Sequence, residues 1–432
     1  MIFEFRVKNY LSFREEQVLS FEASNSSNFA SQYFVEVKEG VHILKLGLIY
    51  GANAAGKSNL LQALDFLHRF VLKQRQDKSQ STGCVPFQFD PSYLDMASEF
   101  YLCFYIKETK FIYTLRLKQT HVLYEKLIYY PSNQPALVYE RTFDDKTEKS
   151  VVKFGSRIAL DRSDKTLISG LTIANSSVIS SFAKANVQKS IFNDVYEWFS
   201  NNFMRMILPT TDLFAWTSSR IEKDEFCKNF VLDVLAKADF NISAIDIEEK
   251  EISVNKQIEN FISVMDTSDD LKNEILKNKK FKTKDITFLH KTKLSQAYLS
   301  KNLESNGTLR FYGLSGILNK LLTSSCFLAI DEIENSLHHD LVAHFLKTFL
   351  LNSQNSQLLF TTHDTNLLNE DFLRRDVVWF VEKNDLGESV LFSLLDFKLH
   401  KNLSPFNAYK IGKLGAKPNL GDIVLTGYGE EK

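Results

Sequence analysis

A glycine-bounded loop that ends in a lysine and a serine gives this chain its clearest chemistry. Gly51, Gly56, Lys57 and Ser58 form the pattern G-x-x-x-x-G-K-S, in which loop N–H groups and the dipole of the next helix favour an anion. Lys57 is expected to reach the β- and γ-phosphates of a nucleotide, and the Ser58 hydroxyl to bind Mg²⁺. The residues expected to contact the nucleotide are Gly51, Asn53, Ala55, Gly56, Lys57, Ser58 and Asn59.

Two adjacent acids follow the apolar stretch 326–330 and supply a second group of reactive side chains. A strand that ends in Asp331 and Glu332 would place both carboxylates at the carboxyl edge of a sheet, beside the phosphate loop. Asp331 is expected to hold Mg²⁺ directly or through water. Glu332 is expected to orient and deprotonate the attacking water. Taken alone, the stretch could also be an ordinary strand that ends in a charged turn.

A histidine stands at the end of a third apolar stretch, in Thr361-Thr362-His363-Asp364. His363 could donate a hydrogen bond to the γ-phosphate or to the attacking water, and would then report whether that phosphate is present. The alternative is a histidine with a purely structural role.

The segment Glu304-Ser-Asn-Gly-Thr308 precedes a helical pattern, so Ser305 is a natural N-cap beside a second anion-binding helix terminus. Since the phosphate loop already serves one anion site, this second site needs another phosphate. A symmetric dimer, in which each copy's segment covers the γ-phosphate of the other, satisfies that need. The alternative is a plain helix cap.

Strands and helices must bring these segments together. Residues 46–50 suit a strand buried on both faces, and apolar residues from Leu60 to Val71 recur at helical spacing. Buried strands are also expected to end at Asp331 and over 357–362. Because Asp331 follows Lys57 by 274 residues, a large segment must be inserted into the nucleotide-binding core.

The rest of the chain indicates three parts. Strands are expected over 2–8 and 18–21, and strands over 99–107, 110–118 and 122–130 predict an antiparallel meander. Helices are expected over 175–205, 221–238 and, as an exposed pair, 249–282; further strands are expected over 242–248, 285–291, 293–299, 377–382 and 389–394. Gln88 could contact Mg²⁺, although packing in a buried strand is favoured. The predicted division is a first ATPase lobe (1–174), a mostly helical insertion (175–284) and a second ATPase lobe (285–432), whose tail from 398 is basic and loop-like.

Composition places few limits on function. Lysine and arginine number 52 and acidic residues 53, for a formal net charge of −1, so global charge neither supports nor excludes a nucleic-acid partner. Four scattered cysteines fit reduced thiols in a reducing compartment. No apolar run approaches the roughly 20 residues that a membrane span needs, and no signal peptide is evident. The sequence therefore predicts a cytoplasmic protein without membrane contact.

The order of these motifs resembles that of the ABC-type ATPases, within them the bacterial "AAA family ATPase" group of abortive-infection and phage-defence loci. Relatives of that group include RecF, SMC-type proteins and the ATPase parts of overcoming-lysogenisation-defect nucleases. The segments that carry the resemblance are Asn9-Tyr-Leu-Ser-Phe, the phosphate loop, Glu304-Ser-Asn-Gly-Thr, Ile330-Asp-Glu-Ile-Glu-Asn-Ser-Leu-His, Phe360-Thr-Thr-His-Asp, Arg374-Arg-Asp-Val-Val-Trp and Gly412-Lys-Leu-Gly-Ala-Lys-Pro.

The resemblance implies a fold and a function. The fold is an α/β P-loop NTPase of ABC type, with a mixed central sheet, an antiparallel β subdomain and a helical insertion. The ligands are ATP and Mg²⁺, hydrolysis is slow, and Ser305 and Gly307 face phosphate in a homodimer or higher homo-oligomer. A separate effector encoded nearby, a nuclease or a toxin, is the implied partner. No nuclease motif follows residue 364, so no nuclease activity is expected in this chain itself.

The expected function is a nucleotide-gated sensor or scaffold in anti-phage defence. Two alternatives stay open: a RecF- or SMC-like ATPase that contacts DNA in repair, and a nucleotide-locked binding module with negligible turnover.

Overall fold

The computed structural model describes residues 1–144, 146–187, 190–253, 280–398 and 403–417. The chain divides into two compact units. The first comprises Met1–Thr211, Leu321–Asn335 and, as far as it is described, Phe345–Lys432; the second comprises Asp212–Lys320 and Ser336–His344.

The described strands and helices are numbered in chain order. The strands are β1 (Ile2–Lys8), β2 (Gln17–Ser20), β3 (Phe34–Lys38), β4 (Val41–Leu44), β5 (Leu46–Gly51), β6 (Ser98–Ile106), β7 (Thr109–Leu117), β8 (Val122–Tyr130), β9 (Ala136–Asp144), β10 (Lys149–Phe154), β11 (Ile242–Ser253), β12 (Lys280–Lys291), β13 (Gln296–Ser300), β14 (Phe327–Ile330), β15 (Gln357–Thr361), β16 (Val378–Lys383) and β17 (Ser389–Ser393). The α-helices are α1 (Ala30–Tyr33), α2 (Lys57–Leu72), α3 (Pro91–Leu94), α4 (Arg162–Leu171), α5 (Val178–Phe182), α6 (Ile191–Glu197), α7 (Leu213–Ile221), α8 (Glu225–Lys237), α9 (Asn306–Thr323), α10 (His339–Asn352) and α11 (Pro405–Lys410).

A seven-stranded antiparallel sheet forms one layer of the first unit, in the order β10-β9-β8-β7-β6-β1-β2. In β7, Phe111, Tyr113, Leu115 and Leu117 are buried while the residues between them are more exposed, the period of two that a half-buried strand requires. The predicted meander of three antiparallel strands is confirmed as β6, β7 and β8.

The second layer of this unit is a five-stranded mixed sheet, in the order β14-β15-β5-β16-β17. The first four strands are parallel, and β17 is antiparallel to β16. Every residue of β5, β14 and β15 is buried, as expected for parallel strands covered on both faces. Because parallel strands end at one edge, the segments after β5, β14 and β15 meet there.

The second unit contains α7 and α8, the antiparallel sheet β11-β12-β13, and α9 as far as Lys320. Its core is aromatic: the Phe214 and Phe288 rings lie 5.2 Å and 5.3 Å from that of Tyr312. The Ser218 and Tyr312 hydroxyls share a buried 2.9 Å hydrogen bond.

Some local predictions were wrong. The tail expected to be loop contains α11, whereas the expected helix over 221–238 is confirmed as α8. The polar stretch 142–170, for which the sequence predicts no element, contains β10 and most of α4, because tertiary packing overrides weak local propensity.

The two helices predicted over 249–282 fall mainly outside the described residues, and β11 and β12 occupy the ends of that range. His400 and Lys401 of the basic tail also lie outside the described residues. The three-part division at 174/175 and 284/285 stays a prediction. Within the described ranges, no helix is long and apolar enough to cross a membrane.

Candidate functional site

The loop between β5 and α2 forms the base of the candidate site. Helix α2 begins at Lys57 with Gly56 as its N-cap, and no described side chain caps it. The first N–H groups of α2 are therefore available to an anion. The Lys57 side chain is buried and donates to the carbonyl oxygens of Gly51, at 2.9 Å, and Ala52, at 3.0 Å.

Two positions in this loop require glycine. A Cβ on Gly51 would lie 2.4 Å from the Val381 carbonyl oxygen of β16, and Gly56 has a φ of +111°. A Cβ on Gly56 would also lie 2.2 Å from the Ser389 hydroxyl oxygen. Because neighbouring segments come so close at both positions, and because the backbone at Gly56 is left-handed, a residue larger than glycine would be strained at either position.

A group of hydroxyls supports the loop from below, and sequence reasoning missed it. Ser389, at the start of β17, donates to the Ala55 carbonyl at 2.6 Å, and its hydroxyl oxygen shares a 2.7 Å hydrogen bond with the Ser12 hydroxyl. The Asn59 amide also donates to the Ser12 hydroxyl, at 2.7 Å. The Asn59 side chain, which was predicted to contact the nucleotide, is thus hydrogen-bonded within the protein. Of the other loop residues predicted to contact the nucleotide, Ala55 is buried and Asn53 is exposed. The only sequence signal for Ser12 is its place in the quoted Asn9–Phe13 segment.

The acidic turn after β14 reaches the same edge of the sheet. Ser58 Oγ donates to Asp331 Oδ1 at 3.1 Å, and Thr361 Oγ1 donates to the same oxygen at 2.6 Å. The Thr361 hydroxyl also accepts the Glu332 N–H at 2.8 Å. Glu332 has a φ of +48°, which is an uncommon backbone conformation for a residue other than glycine. Residues far apart in the chain are thus joined through one threonine hydroxyl.

His363 follows β15 beside this group. Its main-chain N–H donates to Glu334 Oε1 at 2.6 Å, and its side chain opens onto solvent. Partial desolvation lowers the pKa of the His363 imidazole, and the Lys57 charge lowers it further, against the acids Glu334, Glu332 and Asp331. Burial likewise lowers the pKa of the Lys57 ammonium, and the same three acids oppose that change.

Ser305 and Gly307 belong to the second unit. Ser305 Oγ accepts the Thr308 N–H at 3.0 Å, which confirms the predicted N-cap of α9. A Cβ on Gly307 would lie 2.9 Å from the Ser336 carbonyl oxygen, so Ser336 of the same unit approaches the start of α9.

Gln88 was predicted to pack in a buried strand, and this was wrong. The residue is exposed in an irregular segment, and its amide donates to the Pro86 carbonyl at 2.7 Å. Aromatic residues around it misled the strand prediction, since only Phe87 is buried and Phe89 is 68% exposed.

The residues present fit a magnesium–triphosphate ligand. A hydroxyl and a carboxylate oxygen lie 3.1 Å apart, and Mg²⁺ prefers such hard oxygen ligands with several waters retained. An uncapped helix N-terminus and a buried lysine lie beside them, and both favour phosphate.

Three solved structures are similar to this chain at low identity. The SMC head domain from Thermotoga maritima has 12% identity and a TM-score of 0.43, covering 91% of this chain and 98% of that one. An SMC head bound to the C-winged helix domain of ScpA has 14% identity and a TM-score of 0.41, covering 95% and 99%. An SMC head with an extended coiled coil, bound to the C-terminal domain of ScpA derived from Pyrococcus furiosus, has 13% identity and a TM-score of 0.38, covering 96% and 98%.

Comparison with curated proteins finds no match. The model of one protein family, described as "AAA domain, putative AbiEii toxin, Type IV TA system", matches residues 48–369. This match begins within β5 and continues past His363, so it includes the phosphate loop, the acidic turn and α9.

Proposed function

Because the chain belongs to the family "AAA domain, putative AbiEii toxin, Type IV TA system" and folds as an ABC-type P-loop NTPase, we propose that it hydrolyses ATP slowly in a Mg²⁺-dependent reaction. The observation that carries this proposal is the 3.1 Å hydrogen bond between Ser58 and Asp331. It joins the end of the phosphate loop to the acidic turn.

Each side chain has a distinct task in the proposed reaction. Lys57 exchanges its two carbonyl partners for β- and γ-phosphate oxygens, and Glu332 takes a proton from the water that attacks the γ-phosphorus. The bond from that phosphorus to the β–γ bridging oxygen breaks, which leaves ADP and phosphate. Ser58 and Asp331 would hold Mg²⁺, which would supply positive charge to neutralise the triphosphate.

His363 supplies the contact that distinguishes ATP from ADP. Its imidazole is exposed at the carboxyl edge of the sheet and can donate to a γ-phosphate oxygen. ADP lacks that phosphate, so only ATP engages the histidine.

Ser305 and Gly307 act on the nucleotide of a second copy. They lie at the N-terminus of α9, whose 18 residues give it a full macrodipole, and the dipole favours a phosphate there. Two copies would therefore pair around ATP and separate after hydrolysis. This nucleotide-dependent homodimer, or a higher homo-oligomer, is part of the proposal.

The proposed cellular role is a sensor or scaffold that controls a separate effector in anti-phage defence in the cytoplasm. The family description, which names a toxin of a type IV system, supports an association with toxicity. Co-purification with the products of neighbouring genes tests for the effector directly.

Two substitutions test the enzymatic part. Lys57→Ala should abolish ATP binding, whereas Glu332→Gln should retain binding and lower hydrolysis about 100- to 10,000-fold, because it removes the general base. Binding is measured by equilibrium titration, turnover by phosphate release, and the oligomeric state by light scattering with ATP. Lys78→Ala, at an exposed lysine, is the matched control and should match the wild type.

The outcomes separate the competing functions. Normal hydrolysis by Glu332→Gln would show that the base is assigned wrongly. DNA-stimulated hydrolysis with steep salt dependence would favour a DNA-repair ATPase, and purification with intact nucleotide after days would favour a nucleotide-locked module.

A further inference from the structure

Glu334 is an acid in the candidate site to which the proposed reaction gives no task. One carboxylate oxygen, Oε1, accepts the main-chain N–H of His363 at 2.6 Å. The other, Oε2, is buried, and no described residue donates a hydrogen bond to it. A buried carboxylate oxygen without a donor costs free energy, so a ligand-bound state that supplies one would recover it.

The charge of Glu334 acts on the groups around it. It opposes the lowering of the pKa of both Lys57 and His363, and it adds to the raised pKa of the Tyr50 hydroxyl. Glu334 therefore lies among the side chains that would surround a γ-phosphate, although it is three residues beyond Asp331 in the chain.

Two of the nearby donors are already engaged. The Tyr50 hydroxyl donates to the Asp364 carbonyl at 3.2 Å, and the Lys57 ammonium donates to Gly51 and Ala52. Among the described groups on which the Glu334 charge acts, the imidazole of His363 is the donor not yet engaged, and the main chain of that histidine is already bound to Oε1. A carboxylate can accept from a main-chain N–H and from a ring N–H of the same residue.

We propose that Glu334 is a positioning residue for the γ-phosphate contact of His363. Its Oε1 holds the main chain of the histidine, and its Oε2 accepts the Nδ1–H of the imidazole once ATP is bound. The Nε2–H then points at a γ-phosphate oxygen. This inference rests on the proposed function, because it requires a triphosphate in the site.

The bound arrangement places the imidazole between two anions, Glu334 and the γ-phosphate. Both favour the doubly protonated ring, in which each nitrogen donates a hydrogen bond. The other charged groups around the ring are Lys57, which opposes protonation, and Glu332 and Asp331, which favour it. Glu334 should therefore strengthen the preference for ATP over ADP without affecting ADP itself.

Glu334→Gln tests this assignment, because the amide keeps an acceptor for the His363 main chain but has no second acceptor for the ring. The dissociation constant for ATP should rise about tenfold, as expected for loss of a hydrogen bond between charged groups. The dissociation constant for ADP and the urea midpoint of unfolding should stay at wild-type values. Glu22→Gln, at an exposed glutamate of the same unit, is the matched control.

Two further measurements exclude a purely structural role. The double variant Glu334→Gln/His363→Asn should discriminate ATP from ADP no worse than His363→Asn alone, because the two residues act as one unit. The ATP preference should also fall with rising pH as His363 loses its proton. In Glu334→Gln this fall should begin at lower pH, since the charge that supports protonation is gone.

Several results would overturn the assignment. Additive losses in the double variant, or equal weakening of ATP and ADP, would show that Glu334 acts independently of His363. Loss of turnover as complete as in Glu332→Gln, with unchanged ATP preference, would make Glu334 the general base instead. Wild-type protein that neither binds nor hydrolyses ATP would refute the proposed function itself, whereas an active wild type with an unaffected Glu334→Gln refutes only this inference.

Discussion

Thr361 carries the hydroxyl that joins the two acids of the candidate site, and replacing it with valine tests how the site is held together. The hydroxyl is fully buried, donates to Asp331 Oδ1 at 2.6 Å and accepts the Glu332 N–H at 2.8 Å. Valine has nearly the same shape, so Thr361→Val removes both hydrogen bonds without creating a cavity.

The two lost hydrogen bonds set the size of the effect. A hydrogen bond to a charged group contributes about 1.5–3 kcal/mol, and a buried donor left without an acceptor costs about 1–3 kcal/mol. Because Glu332 is only partly buried, its N–H should fall at the low end of that range. We therefore expect Thr361→Val to lower the free energy of unfolding by about 3 kcal/mol.

Urea denaturation of Thr361→Val beside Thr362→Val measures this effect. Thr362 is the adjacent buried threonine, and its hydroxyl accepts the neutral Asp364 N–H at 3.0 Å, so its loss should cost only about 1 kcal/mol. In active protein, Thr361→Val should also raise the Mg²⁺ concentration for half-maximal hydrolysis about tenfold, because an Asp331 carboxylate that has lost one of its two donors is oriented less well for the ion. Equal unfolding midpoints for the two variants, with unchanged Mg²⁺ dependence, would refute the idea that this hydroxyl organises the acids.

Two further predictions concern buried charges outside the site. Arg141→Met should lower the free energy of unfolding by about 3–5 kcal/mol in chemical denaturation, because it leaves the buried Glu125 carboxylate, 3.4 Å away, without its cation; adding Glu125→Gln should recover part of the loss. Burial lowers the pKa of Lys45 to about 8, so between about pH 8 and 10.5 the unfolded chain binds the proton that the folded one has lost. As pH rises through that window, the free energy of unfolding of the wild type should therefore increase by about 1–3 kcal/mol relative to that of Lys45→Met. Denaturation curves at pH 7.5 and 10 measure this difference. An equal change in both proteins would contradict the prediction.

Local patterns carried most of the fold that the sequence could predict. The phosphate loop, β5 and the strands β6 to β8 each have a pattern complete within a few residues, so the chain itself reveals them. Ser389 and Thr361 could not be found in this way. Ser389 supports the phosphate loop from a strand more than 300 residues away, and a lone serine at a strand start gives no local signal. Gln88 shows the opposite error, since aromatic neighbours suggested burial for a side chain that lies in solvent.

The distance in sequence between Lys57 and Asp331 matters little to the site, because strand register rather than chain length positions the acids. Ile330 pairs with Phe360 and Thr361 pairs with Ile49 across adjacent parallel strands, so the position after each strand end faces the same edge. A slip of one residue would turn the Thr361 hydroxyl to the other face of the sheet and away from Asp331. The sequence could not specify this register, since β14 and the centre of β15, residues 358–360, are apolar and lack the alternation that distinguishes one face from the other. The two hydrogen bonds of Thr361 therefore favour the register in which the site can assemble, and Thr361→Val should weaken both the fold and the metal site for the same reason.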